Sequence, residues 1–170
     1  YVREWPAWAE KLADAFWPGP LTLLLPKSGV VPAELTSGSD RVAVRVPAHA
    51  LTRELLKGLP FPLAAPSANP FTYISPTTAG HVYRQLAGKI PYILDGGPCS
   101  RGLESTIIGA QNGIPVIYRA GALAPEAIQK VLGAIDFFTS EDPAYQPAAP
   151  GMMKKHYAPR TPMILCRDMK

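Results

Sequence analysis

The chain has 170 residues, 47% hydrophobic and 18% charged, with 17 basic against 13 acidic side chains for a net charge of +4. That length suits one domain, and the apolar content supports a packed core, which excludes a disordered chain. Twenty prolines, more than twice the usual ~5%, exclude a simple helical bundle. No apolar run approaches the roughly 18 residues of a membrane span, and no charged-then-apolar leader is visible. Cys99 and Cys166, two and far apart, fit neither a disulfide framework nor a zinc site. A reduced, cytoplasmic setting without membrane attachment is therefore expected. The net charge permits phosphates or RNA as partners without demanding them.

In chain order, Pro6 to Phe16 reads as a helix: proline suits its start, and Trp8, Leu12 and Phe16 recur on one face. Trp17-Pro18-Gly19-Pro20 stops it, and Leu21 to Leu25 is a short buried strand. Arg41 to Val46 alternates, with three valines facing one way and Arg41, Ala43 and Arg45 the other. Leu51 to Lys57 is a helix capped by Gly58. Phe61 to Ala65 is read as a further strand, ending at Pro66-Ser67-Ala68-Asn69-Pro70.

Ser75-Pro76 is read as the start of a helix running to Gly88, with serine as the cap. Ile90 to Leu94 is again strand-like, turned by Asp95-Gly96-Gly97-Pro98. Ser105 to Ala110 and Ile114 to Arg119 flank Asn112-Gly113, a hairpin signature. Pro125 opens a last helix ending at Gly133. Five prolines between 143 and 162, without apolar periodicity, mark a linker or tail. The order of elements predicts an α/β or α+β sheet protein.

Candidate site residues sit at element ends. Arg41 and Arg45 share a strand face that is either solvated or a ligand cleft, where a guanidinium would grip a carboxylate or phosphate in two-pronged fashion. Ser67 and Asn69 follow a strand end, the place where open α/β sheets hold ligands, although both also make ordinary turns. Ser75 opens a helix, and helix amides attract anions. Glu104-Ser105 follows glycines 96, 97 and 102, yet no P-loop pattern is present. Arg119-Ala120-Gly121 ends a strand. A tail carrying Lys154, Lys155, His156 and Tyr157 is either a lid over an anion or a free basic tail. No nucleophile–base pair and no metal-ligand cluster stands out. The inventory suits binding and orienting anions, with catalysis by positioning and charge stabilisation.

Six short segments, in order, resemble the YrdC-like domain of the threonylcarbamoyl-AMP synthase family. They are Trp17-Pro18-Gly19-Pro20-Leu21-Thr22, Val42-Ala43-Val44-Arg45-Val46-Pro47, Ala65-Pro66-Ser67-Ala68-Asn69, Ser75-Pro76-Thr77, Gly102-Leu103-Glu104-Ser105-Thr106-Ile107 and Arg119-Ala120-Gly121. Pro150-Gly151-Met152 and His156-Tyr157-Ala158-Pro159 resemble the linker of the family's long form. The resemblance implies an α/β fold, a twisted mixed sheet with flanking helices and a concave, positively lined ligand face. It implies a nucleotidyltransferase joining L-threonine, bicarbonate and ATP, the last with Mg2+, into threonylcarbamoyl-adenylate and pyrophosphate. The product would pass to proteins that modify tRNA.

By position, the resemblance assigns the threonine site to Arg45, Ala65 and Ser105. It assigns ATP to Arg41, Ser67, Asn69, Ser75 and Arg119, and a closing linker to His156 and Tyr157. Residues 1–135 would be the YrdC-like domain and 136–170 the linker to a further domain. Phe71-Thr72 stand where the family has Ser-Gly, and Arg-Ala-Gly replaces Arg-Pro-Gly. The family's Lys-x-Arg motif would lie upstream of Tyr1, so the chain is read as N-terminally truncated and, taken alone, inactive. The competing readings are a non-catalytic module binding double-stranded RNA or tRNA, and the related domain of hydrogenase-maturing carbamoyltransferases.

Overall fold

The computed structural model describes residues 1–71 and 73–139. They divide into two compact units, one holding 1–65 and 100–139, the other holding 66–99. In the first unit, α1 (Ala7–Phe16) follows Pro6, whose ring sets the φ of −71° found there. Ala9 and Leu12 are fully buried, with Trp8, Ala13 and Phe16 packed beside them. Pro18 interrupts the helical pattern. Gly19 is required next, since any Cβ would collide with the carbonyl of Phe16.

The chain then enters β1 (Leu21–Pro26), and β2 (Arg41–Val44) pairs antiparallel with it. α2 (Ala50–Lys57) follows. In the second unit α3 (Ala79–Leu86) is the one regular element among the described residues. Back in the first unit come β3 (Thr106–Gln111), β4 (Ile114–Arg119), α4 (Pro125–Leu132) and the two-residue β5 (Asp136–Phe137). The five strands form one mixed sheet in the order β2-β1-β3-β4-β5. β1 and β3 are parallel, β3 and β4 are the antiparallel hairpin, and β5 runs parallel to β4.

Strand periodicity sorts the core. Leu21, Leu23 and Leu25 face one side of β1 with Ile108 and Ile117, and α1 and α4 add Ala9, Leu12 and Ile128. Leu24, Ile107, Val116 and Tyr118 form a second cluster, with Phe138 against it. A strand buried on both faces reads as a continuous apolar run, which is what Leu21 to Leu25 shows around Thr22. Each fully buried leucine contributes roughly 1.5–3 kcal/mol relative to exposure. The hairpin turn has φ of 52° at Asn112 and 80° at Gly113, the left-handed pair that a two-residue loop demands.

Several expectations are corrected. Phe61–Ala65 and Ile90–Leu94 are not strands; both are exposed, with Phe61 55% and Tyr92 88% accessible. Pro60, Pro62 and Pro66 remove ladder donors from the first of them. The cap of α3 lies three residues after the expected one: Thr78, not Ser75, accepts from the His81 amide. β2 stops at Val44, before Val46. Gly58 does cap α2, but at φ −79° in the right-handed conformation. β5 is additional, and it reaches into the segment that the sequence reading starts at 136. The Asp95 turn is present, with its carboxylate accepting from the Gly97 amide at 2.8 Å. Among the described residues no helix is long and apolar enough to cross a membrane.

Candidate functional site

Register brings Arg45, Ser105 and Arg119 to one end of the sheet. β1 starts at Leu21 opposite Thr106, so Ser105 lies beside the entry to β1. Leu24 pairs with Ala43, so the arginines flanking Ala43 along the strand face the Thr22–Leu24 side rather than the helices. β4 would send Arg119 the other way, two residues beyond inward-facing Ile117. Instead the pairing shifts: Ile108 faces Ile117, yet Ile107 faces Arg119, leaving Tyr118 as the extra residue of a bulge. Bulges re-aim side chains, and this one turns Arg119 onto the face of Ile107 and Thr22.

The contacts follow. Arg119 donates to the Ser105 carbonyl from Nε (3.1 Å) and Nη2 (2.8 Å), and Nη2 reaches the Ser105 hydroxyl at 3.2 Å. Ser105 Oγ lies 2.7 Å from Thr22 Oγ1, and both residues are buried. Arg45 donates from Nε to the Gly19 carbonyl at 3.0 Å, while the Gly19 amide donates to Val46. Gly121, just past Arg119, admits no Cβ because the Glu104 carbonyl and Ser105 backbone press against it. The Trp17-to-Thr22 segment thus supplies a carbonyl to one arginine and a hydroxyl to the serine.

Desolvation of its guanidinium lowers the Arg45 pKa, and the positive charge of Arg119 lowers it further. Two cations held together against both effects favour an arriving anion. Guanidiniums beside hydroxyls make a seat for a carboxylate or phosphate. Among the described residues there is no group of three His, Cys, Asp or Glu that could hold a metal.

The other residues chosen from sequence lie elsewhere. Arg41 is four residues from Arg45, about 13 Å along an extended chain, at the far end of the sheet. Its Nη1 donates to the Ala110 carbonyl (2.8 Å) and to Tyr118 Oη (2.7 Å). Tyr118 stacks on Phe138 at 4.4 Å, and Gly109 leaves room for its ring, since a Cβ there would sit 2.8 Å from Cε2. These residues line a cleft of about 280 Å³ with Ser39, Asp40, Gln111 and Asn112. Ala65 is exposed at the end of the first unit's extended run. In the second unit Ser67 is exposed, and Ser75 is half-buried ahead of α3. Asn69 donates to the Pro70 and Tyr73 carbonyls at 2.9 and 3.1 Å, the turn-holding role open to it from sequence. Thr72, His156, Tyr157 and the expected linker beyond 139 lie outside the described residues. Thr22 was missed; its signal was a lone polar side chain in Leu-Thr-Leu-Leu-Leu.

Residues 1–121 match the Sua5/YciO/YrdC family model, whose description is telomere recombination. The chain belongs to this family. Residues 123–170 match a second model, the C-terminal domain of threonylcarbamoyl-AMP synthase. The chain is 48% identical over 169 residues to the threonylcarbamoyl-AMP synthase of Pyrococcus abyssi, covering 96% of itself and 49% of that relative. It is 42% identical over 163 residues to that of Bacillus subtilis, covering 95% of itself and 47% of the relative. It therefore spans about half the length of these relatives. The P. abyssi Sua5 structure complexed with L-threonine superposes with a TM-score of 0.85 at 48% identity, over 93% of this chain and 47% of that one. Escherichia coli YciO, 22% identical with a TM-score of 0.64 over 75% of this chain and 61% of its own, shares the fold. The expected α/β architecture, a mixed sheet with flanking helices, is the one observed.

Proposed function

We propose that the protein carrying this chain makes L-threonylcarbamoyl-adenylate from L-threonine, bicarbonate and ATP, as a nucleotidyltransferase serving tRNA modification. One observation carries the reading. Arg45, Ser105 and Arg119 meet in a chain 48% identical to a synthase whose family member has been solved with L-threonine bound. Arg45 would hold the threonine carboxylate, with the Ala65 backbone and Ser105 near it. Arg119 would meet the nucleotide, as would Ser67, Asn69 and Ser75 by resemblance. Arg41 keeps only its resemblance as support, because its guanidinium is engaged at the opposite end of the sheet.

The chemistry fits such residues. The threonine nitrogen takes a carboxyl group from bicarbonate with loss of water, and the carbamate oxygen attacks the α-phosphorus as pyrophosphate leaves. Neither step needs a protein nucleophile; both need oriented anions and compensated charge. Mg2+ would arrive on the nucleotide phosphates, its usual partners. The work would be cytoplasmic, and the product would go to tRNA-modifying proteins. Residues 1–135 would form the YrdC-like domain, with Ile128 and Ile135 completing its core, and 136–170 the connection to a further domain. His156 and Tyr157 would close over the site.

Calorimetry on the whole protein tests the assignment. Arg45→Gln should weaken L-threonine binding by about ten- to a hundred-fold, the worth of a charge-assisted hydrogen-bond pair. An unchanged affinity would remove Arg45 from the site. A salt-dependent RNA affinity indifferent to that substitution, in a protein blind to threonine, would favour the RNA-binding alternative.

A further inference from the structure

Thr106 stands within the segment carrying Ser105, yet nothing above gives it a task. It is fully buried, and its hydroxyl uses its whole capacity of one donor and two acceptors. It donates to the Leu123 carbonyl at 2.7 Å and accepts from the amides of Gly121 and Leu123, each at 3.1 Å. Its own amide donates to the Pro20 carbonyl at 3.0 Å. A single side chain thus fastens the turn after Arg119 to the start of β3, while its backbone fastens β3 to the entry of β1. The Ala122 amide, donating to the Glu104 carbonyl at 2.8 Å, closes the same loop from the other side.

We propose that Thr106 is a positioning residue: its hydroxyl holds the Arg119-Ala120-Gly121 turn so that Arg119 and Ser105 keep the geometry in which they meet substrate. The inference rests on the functional reading above and deepens it. Arg119 Nη2 reaches Ser105 at both the carbonyl (2.8 Å) and the hydroxyl (3.2 Å). A turn released at Gly121 and Leu123 would let the guanidinium drift from them, and misplacement by about an ångström is costly to a site working by orientation.

The proposal separates a hydroxyl role from a packing role, because they rank two substitutions oppositely. Thr106→Val keeps the shape and removes the hydroxyl; Thr106→Ser keeps the hydroxyl and removes a methyl. L-Threonine is titrated by calorimetry into the whole protein and both variants, at a temperature where circular dichroism shows each folded. The expected result is affinity about tenfold weaker in Val and close to wild type in Ser. A purely structural role would lower the melting temperatures and leave the affinity of folded molecules alone. Should Val fail to fold, Thr106→Cys takes its place, with similar volume and a weakly bonding thiol. A Val variant within threefold of wild type, or a Ser variant no tighter than Val, overturns the role. Absence of threonine binding by the wild type is a different failure, which removes the functional reading and this role with it.

Discussion

Arg45 carries its charge against two opposing effects, desolvation first and the charge of Arg119 second. Both lower its pKa in the folded protein relative to the unfolded chain. For a base that sign means folding is penalised while the group is charged. The penalty is present at every pH below the folded pKa and is relieved only as pH rises through that value into the alkaline range. A guanidinium stays charged at physiological pH, so Arg45 should add no slope to stability between pH 6 and 8. Arg45→Gln loses the bond to the Gly19 carbonyl but sheds the penalty, so its stability should stay within about 1 kcal/mol of wild type. Denaturant midpoints alongside threonine titrations check this; a large loss of stability would mean that Arg45 is structural. Gly121 is the opposite case. Gly121→Ala drives a Cβ into the backbone of Glu104 and Ser105, which no rotamer change relieves, so destabilisation of roughly 1–3 kcal/mol is expected.

Elements differ in how much of them is local. α1, the hairpin and α4 are legible from sequence because Pro6, Asn112-Gly113 and Pro125 act within their own few residues. A strand is not local, because it needs a neighbour. Phe61–Ala65 and Ile90–Leu94 have strand composition but no ladder partner among the described residues, so composition alone misleads. The bulge at Tyr118 is a property of a strand pair, and it decides which face Arg119 serves; single-strand alternation would have put Arg119 on the helix side. Caps follow similar logic. Ser75-Pro76 looks like a helix start, but Thr78 accepts the His81 amide at 3.2 Å. Thr78→Ala should therefore destabilise α3 by about 1 kcal/mol, read as faster amide exchange across 79–86. Unchanged exchange there would show that the cap lies elsewhere.

For the molecule as a whole, the resemblance named its motifs in chain order but could not rank them by proximity. Arg45 and Arg119 meet although 74 positions apart in the chain, whereas Arg41, four residues from Arg45, does not join them. Strand rise explains the second result, since extended residues separate fast, and sheet order explains the first. Thr22 was hidden because its strand reads as core; only pairing reveals that it touches Ser105. The chain spans about half of its relatives' length, and binding and turnover are therefore measured on the whole protein. A ligand that binds the folded state alone raises stability with its concentration, and L-threonine should raise the melting temperature of the wild type at concentrations about ten- to a hundred-fold below those that Arg45→Gln requires. The central claim meets its most direct test in pyrophosphate release by the whole protein given ATP and bicarbonate. The predicted result is release that depends on L-threonine and falls about ten- to a hundred-fold in Arg45→Gln; release indifferent to threonine, or equal in the variant, would contradict it.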